Sequence, residues 1–132
     1  NVDSGSNQPF AAFPSGNFSA LPTVSVVVPY LCKDNHDCPT ATGDSWLKAK
    51  LDGYVQWAKT HNSLLILTWD EDRSRRDNHI VTILVGARVN PGNYGTTINH
   101  YTVLRTVQEI YGLPPIENTV SAPPITNVWK NP

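Results

Sequence analysis

The sequence predicts an α/β domain built in layers. Two patterns carry that expectation. Short β-branched and aliphatic runs read as covered strands, and two longer stretches place apolar residues at helical spacing. Their order is strand, helix, strand, strand, helix, which is the order of an α/β protein. Three strands flanked by two long arms are few for a complete sheet, so the domain reads as partial.

Residues 1–22 form an extended arm. Pro9, Pro14 and Pro22, with Gly5 and Gly16, interrupt any regular pattern. Phe10, Phe13 and Phe18 are too apolar for a free linker and are expected to pack. The α/β core spans residues 23–113. Its first expected strand is the run Val24, Ser25, Val26, Val27, Val28, closed by Pro29. A polar loop with Cys32 and Cys38 follows. Trp46, Leu47, Leu51, Tyr54, Val55 and Ala58 then recur near helical spacing, which predicts a helix over 46–59 with Asp44 as its N-cap. Gly53 within it is a mild defect. Residues 64–69 (LLILTW) give the second strand and run into Asp70, Glu71 and Asp72. Residues 80–85 give the third, and if the strands are parallel neighbours their polar ends share one edge. A second helix over 101–111 stops at Gly112, with Pro114 beyond. The tail, 114–132, is rich in proline, yet Ile125, Val128 and Trp129 predict that it docks.

The 132 residues suit one domain with a real core, so no disulfide is obligatory. Charged residues make up 16% and hydrophobic residues 39%, which excludes a disordered or supercharged chain. Ten Lys and Arg against eleven Asp and Glu leave a net charge of -1. That argues against a nucleic-acid partner, which calls for a basic excess. A small phosphorylated substrate needs only a local site. No apolar run approaches a membrane span. The first residues are polar and hold no signal segment, so the signal of an exported protein would be removed or lie upstream.

Cys32 and Cys38 are the two cysteines. Their closeness in one loop favours a disulfide and an oxidising compartment, with two buried thiols as the alternative. Asn17, Phe18 and Ser19 form a glycosylation sequon, a frequent chance triplet.

In α/β sheets, ligands bind beyond the carboxyl ends of strands. Asp34, His36 and Asp37 follow the first expected strand, and Asp70, Glu71 and Asp72 follow the second. Adjacent carboxylates repel, and a hard divalent cation relieves that repulsion. A solvated acidic loop is the plainer alternative. Asp72 fits it, since Arg73, Arg75 and Arg76 can pair with it. His61 ends the first helix and reads as structural. His36 fits a ligand or a surface role equally. His79 precedes the third strand and can face the same edge, and His100 reads as a packed residue at a helix start. No nucleophile elbow, phosphate-cradling Gly-rich loop or zinc-protease motif is present.

Several stretches, in order, resemble the phosphoesterase family of secreted acid phosphatases and phospholipase C-like enzymes. They are residues 21–29 (LPTVSVVVP), 34–39 (DNHDCP), 42–47 (TGDSWL), 62–72 (NSLLILTWDED), 78–83 (NHIVTI), 99–106 (NHYTVLRT) and 122–129 (APPITNVW). The resemblance implies a partial α/β/α sandwich of alkaline-phosphatase-like type, comprising the C-terminal half of one phosphoesterase domain. It implies that Asp70 and Glu71 bind a divalent metal ion and that Asp34 and His36 belong to the site. His79 falls near the phosphate. It further implies metal-dependent hydrolysis of phosphate esters in an extracellular enzyme, through a covalent phosphoenzyme, with a histidine such as His36 protonating the leaving alcohol.

The chain also departs from the family pattern. The family's Asn/Glu metal-binding pair and its Ser or Thr nucleophile lie ahead of the region seen here and have no counterpart in it. Tyr30 stands where the family often has Asn, and the segment from Arg73 to Arg76 replaces a more acidic loop. The chain then reads as one part of an enzyme completed by an N-terminal half or a second chain. A non-catalytic phosphate-binding or interaction fragment is the competing reading.

Overall fold

The computed structural model describes residues 3–73 and 77–130. Helix α1 spans Thr40–Ala58, strand β1 Leu65–Thr68, strand β2 Thr82–Val85 and helix α2 His100–Ile110. Short 3-10 turns lie at Ser4–Ser6, Phe10–Ala12, Phe18–Ala20 and Glu117–Val120. This mixture of helix and sheet agrees with the expected α/β class. β1 and β2 pair antiparallel, with Leu65 opposite Val85 and Thr68 opposite Thr82. The two threonine hydroxyls at that last pair lie 3.1 Å apart.

The expected first strand does not form. Residues 24–28 have no strand pairing, and Val26 and Val28 are 85% and 80% exposed. The sheet of the described residues therefore has two strands, and its neighbours are antiparallel rather than parallel. The reason is physical: a β-branched run favours extended backbone, but a strand exists only through a partner's hydrogen bonds. β1 and β2 are also shorter than expected, because a ladder ends where pairing ends.

Helix α1 begins six residues before Trp46, at Thr40, with Pro39 rather than Asp44 at its N-cap. Proline suits a helix entrance because its absent N–H would have no partner there. Helix α2 keeps nearly its expected bounds. The Asn99 side chain caps it by accepting a hydrogen bond from Thr102 N at 3.0 Å. Gly112, at φ 62°, follows its end.

The arm packs as its phenylalanines require. Phe18 is 6% exposed and meets Tyr54 and Trp57 at ring separations of 5.4 and 5.8 Å. Phe10 lies 5.1 Å from Trp46, and Phe13 6.4 Å from Tyr54. Gly53, a defect by helix propensity, lies where Phe18 crosses α1: a Cβ there would be 3.4 Å from the ring. His61 is structural as expected, stacked on Trp57 at 4.3 Å, with Nδ1 2.8 Å from the Trp57 carbonyl oxygen.

The tail docks too. Ile125 and Val128 are buried, and Trp129 bridges to Val89. Thr106, itself buried, accepts a hydrogen bond from Ile125 N at 2.9 Å and donates to the Thr102 carbonyl at 2.7 Å. α2 thus turns threonines toward the tail. Tyr101, Leu104 and Ile110, its larger apolar residues, stay about half exposed.

Candidate functional site

The first polar group of the candidate site sits in the loop that follows Pro29. That loop is heavily constrained. Cys32 and Cys38 are disulfide-bonded, with Cα atoms 4.7 Å apart. Asp37 N donates to the Leu31 carbonyl at 2.9 Å, and Lys33 N to the Tyr30 carbonyl at 2.7 Å. Asn35 adopts φ 77°, a left-handed conformation that asparagine tolerates better than most residues. Its carboxamide lies against Gly43 in the first turn of α1. A Cβ on Gly43 would overlap that carboxamide and come within 2.9 Å of the Lys33 carbonyl oxygen. Glycine at this position lets the loop rest on the helix.

Within this loop, Asp34 accepts a hydrogen bond from His36 N at 2.9 Å, a local turn that fixes the histidine's backbone. His36 Nδ1 lies 2.9 Å from Asp37 Oδ1, and both side chains are more than half exposed. The hydrogen bond to Asp37 holds the His36 imidazole above the ordinary histidine value, and the Asp37 charge adds to it. A small desolvation opposes them, while Asp34 and Glu71 raise it further. Asp37→Asn is therefore expected to lower the His36 midpoint toward the usual ~6.5. An NMR titration of the imidazole in metal-free protein checks this. An unmoved midpoint would show that the pair does not hold in solution.

The second group follows β1. Trp69 Nε1 donates to the Asp34 carbonyl at 2.8 Å and so ties the end of β1 to the disulfide loop. His100, the first residue of α2, places Nε2 2.9 Å from the Asp70 carbonyl oxygen. Asp70 and Glu71 are exposed, and Asp72 N donates to Asn78 Oδ1 at 3.0 Å. The Trp69 bond makes the end of β1 and the 34–37 loop neighbours. The segment that carries Asp34 and His36 and the one that carries Asp70 and Glu71 are thus adjacent through bonds to main-chain carbonyls, although the first strand itself is unformed.

His79 is exposed in the segment before β2, with no hydrogen bond or ion pair to a described residue. Asn17 is exposed at the start of its 3-10 turn. Arg75 and Arg76, expected to pair with Asp72, lie outside the described residues.

Sequence reasoning missed two contributors. Trp69 reads as one more strand residue and His100 as a packed one. His100 is exposed instead and bonds to the main chain of Asp70. The NHYTVLRT stretch marked the position of His100 but not its partner, which lies thirty residues earlier in the chain.

A hard divalent cation prefers several oxygen donors. Asp70 and Glu71 have the right chemistry. Among the described residues, however, no three His, Cys, Asp or Glu side chains come together to hold an ion. These residues do not make a complete metal site by themselves. The edge is also open: a hollow of about 400 Å³ between α1 and β1, lined by Leu47, Leu51, Leu65 and Leu67 among others, does not include the polar cluster. Among the described residues no helix is long and apolar enough to cross a membrane.

Comparison with known proteins agrees with this picture. The model of the phosphoesterase family matches residues 2–114. The chain is 50% identical over 130 residues to a phosphatidylinositol-3-phosphatase of Mycobacterium tuberculosis (strain ATCC 25618 / H37Rv). That match takes in 98% of this chain and 44% of the relative, so the chain spans less than half of the relative's length. No solved structure matches. With most of its length matched by one family model, this chain belongs to the phosphoesterase family.

Proposed function

We propose that this chain is the C-terminal part of an extracellular, metal-dependent phosphatase of alkaline-phosphatase-like fold, which hydrolyses phosphate monoesters once the rest of its domain is present. The observation that carries the reading is the Trp69 bond to the Asp34 carbonyl, which holds the 34–37 loop against the end of β1, where Asp70 and Glu71 follow. The name of the relative supports a monoester over a diester.

Each side chain then has a role of its own. His36, kept protonated to a higher pH by Asp37, donates a proton to the leaving oxygen as the P–O bond breaks. That step fails as pH rises through the His36 midpoint, so this histidine sets the alkaline limb of the pH profile. Asp34 fixes the backbone of His36 and borders the phosphate. His79 approaches the phosphate from the β2 side. Asp70 and Glu71 supply part of the donor set for a divalent cation, whose charge would stabilise the transferring phosphoryl oxygens. The remaining donors and the nucleophile come from outside this chain. The disulfide supports an oxidising compartment, and Asn17 is open to glycosylation there.

The test uses a longer polypeptide, made by joining the unmatched part of the M. tuberculosis relative ahead of residue 1. Asp70→Asn in that protein is expected to lower bound divalent metal and phosphomonoesterase activity together, by about a hundredfold. Metal analysis and a phosphate-release assay read both. Unchanged metal stoichiometry would remove Asp70 from the donor set. Ligand binding without turnover in the unsubstituted protein would favour a non-catalytic phosphate-binding role.

A further inference from the structure

Among the described residues, 24–28 form an apolar run without strand pairing. Val24, Val26 and Val28 alternate along the sequence and are 54%, 85% and 80% exposed. No main-chain N–H or C=O of residues 24–29 is hydrogen-bonded to a described residue. Both ends of the segment are nevertheless held. At one end Tyr111 Oη donates to the Thr23 carbonyl at 3.1 Å. At the other stands the disulfide loop, anchored through Trp69 to the end of β1. The run is thus stretched between two fixed points, with its main chain free to pair.

An exposed, apolar, β-branched edge is a template for another strand, and proteins rarely leave one uncovered. Two short strands are also too few for an independently stable sheet. The chain spans 44% of its relative, so polypeptide outside the chain exists in that protein to supply what is lacking.

We propose that residues 24–28 become a strand by main-chain pairing with a strand of the polypeptide that completes the longer protein, whose apolar side chains also cover Val24, Val26 and Val28. The identity of this partner rests on the proposed function; the need for a partner does not. A strand paired here has one end beside the 30–38 loop. It therefore delivers its flanking residues to the 34–37 loop and the end of β1, which the Trp69 bond holds together. A second copy of this chain would pair the same edge but would bring no new residue types to that site.

Hydrogen exchange read by mass spectrometry on peptides covering 24–29 tests the proposal, comparing this chain alone with the joined longer polypeptide. The amides are expected to exchange near their intrinsic rates in the chain alone. In the longer polypeptide they should be slowed by at least about a hundredfold. Val26→Pro with Val27→Pro removes two consecutive donors, one of which must face the added strand. That variant should lose the protection in the longer polypeptide. It should leave the thermal midpoint of the isolated chain unchanged, since neither N–H has a partner there. Strong protection in the chain alone overturns the proposal, whether it depends on concentration, as for a second copy, or not. Absence of protection in the longer polypeptide overturns it equally. Protection without phosphatase activity would keep the strand pairing and sink the functional reading. Activity without protection would do the reverse.

Discussion

Purified alone, this chain is expected to release no p-nitrophenol from p-nitrophenyl phosphate above a buffer blank, at acidic to neutral pH and with or without added divalent metals. The family resemblance places the nucleophile ahead of the region present here. Removing a nucleophile typically costs an enzyme about a millionfold in turnover. The rest of the machinery is incomplete as well. Asp70 and Glu71 are exposed, and no third His, Cys, Asp or Glu among the described residues joins them to hold an ion. Stabilisation of phosphoryl charge depends on groups fixed in advance around it, and two exposed carboxylates provide little of that. The assay needs a mass-verified chain free of contaminating phosphatase. Metal-dependent turnover from this polypeptide, abolished by Asp70→Asn, would show that the nucleophile lies within it and that the assignment to the second half of the domain is wrong.

Phe18→Ala is expected to destabilise the isolated chain by about 3–5 kcal/mol, the usual cost of truncating a buried phenylalanine. Phe18 is the arm's buried anchor. It is 6% exposed, meets Tyr54 edge-on and crosses Gly53 on α1. Phe13 lies tilted against it at 6.1 Å, so the loss should loosen Phe13 as well. A domain of this size holds roughly 5–15 kcal/mol in total, and the change should remove a large share of it. Urea unfolding of both proteins measures the difference. A loss below about 1 kcal/mol would mean that the arm contributes little and that α1 is stable without it. Phe18→Leu keeps most of the apolar volume and should recover much of the loss.

Local chemistry made part of this protein readable in advance. Apolar spacing gave the first helix, because burying one face of a helix imposes a period that shows in the chain itself. Gly112 marked the end of α2 for an equally local reason. Closeness within one loop pointed to the Cys32–Cys38 bond, and three phenylalanines among prolines pointed to a docked arm. The acidic residues after LLILTW and the Asp34, His36, Asp37 loop were visible as candidate chemistry because strand ends are where such groups collect.

What tertiary structure decided was everything that depends on a partner distant in sequence. The Trp69 bond to Asp34 and the His100 bond to Asp70 span 35 and 30 residues, and no local pattern encodes either. The start of α1 at Thr40 depends on how the disulfide loop seats Asn35 against Gly43, not on the apolar period. Residues 24–28 show the same division most plainly. Their β-branched side chains fix an extended backbone, which is a property of each residue. Whether that backbone is a strand depends on hydrogen bonds from a second segment, and the described residues of this chain supply none.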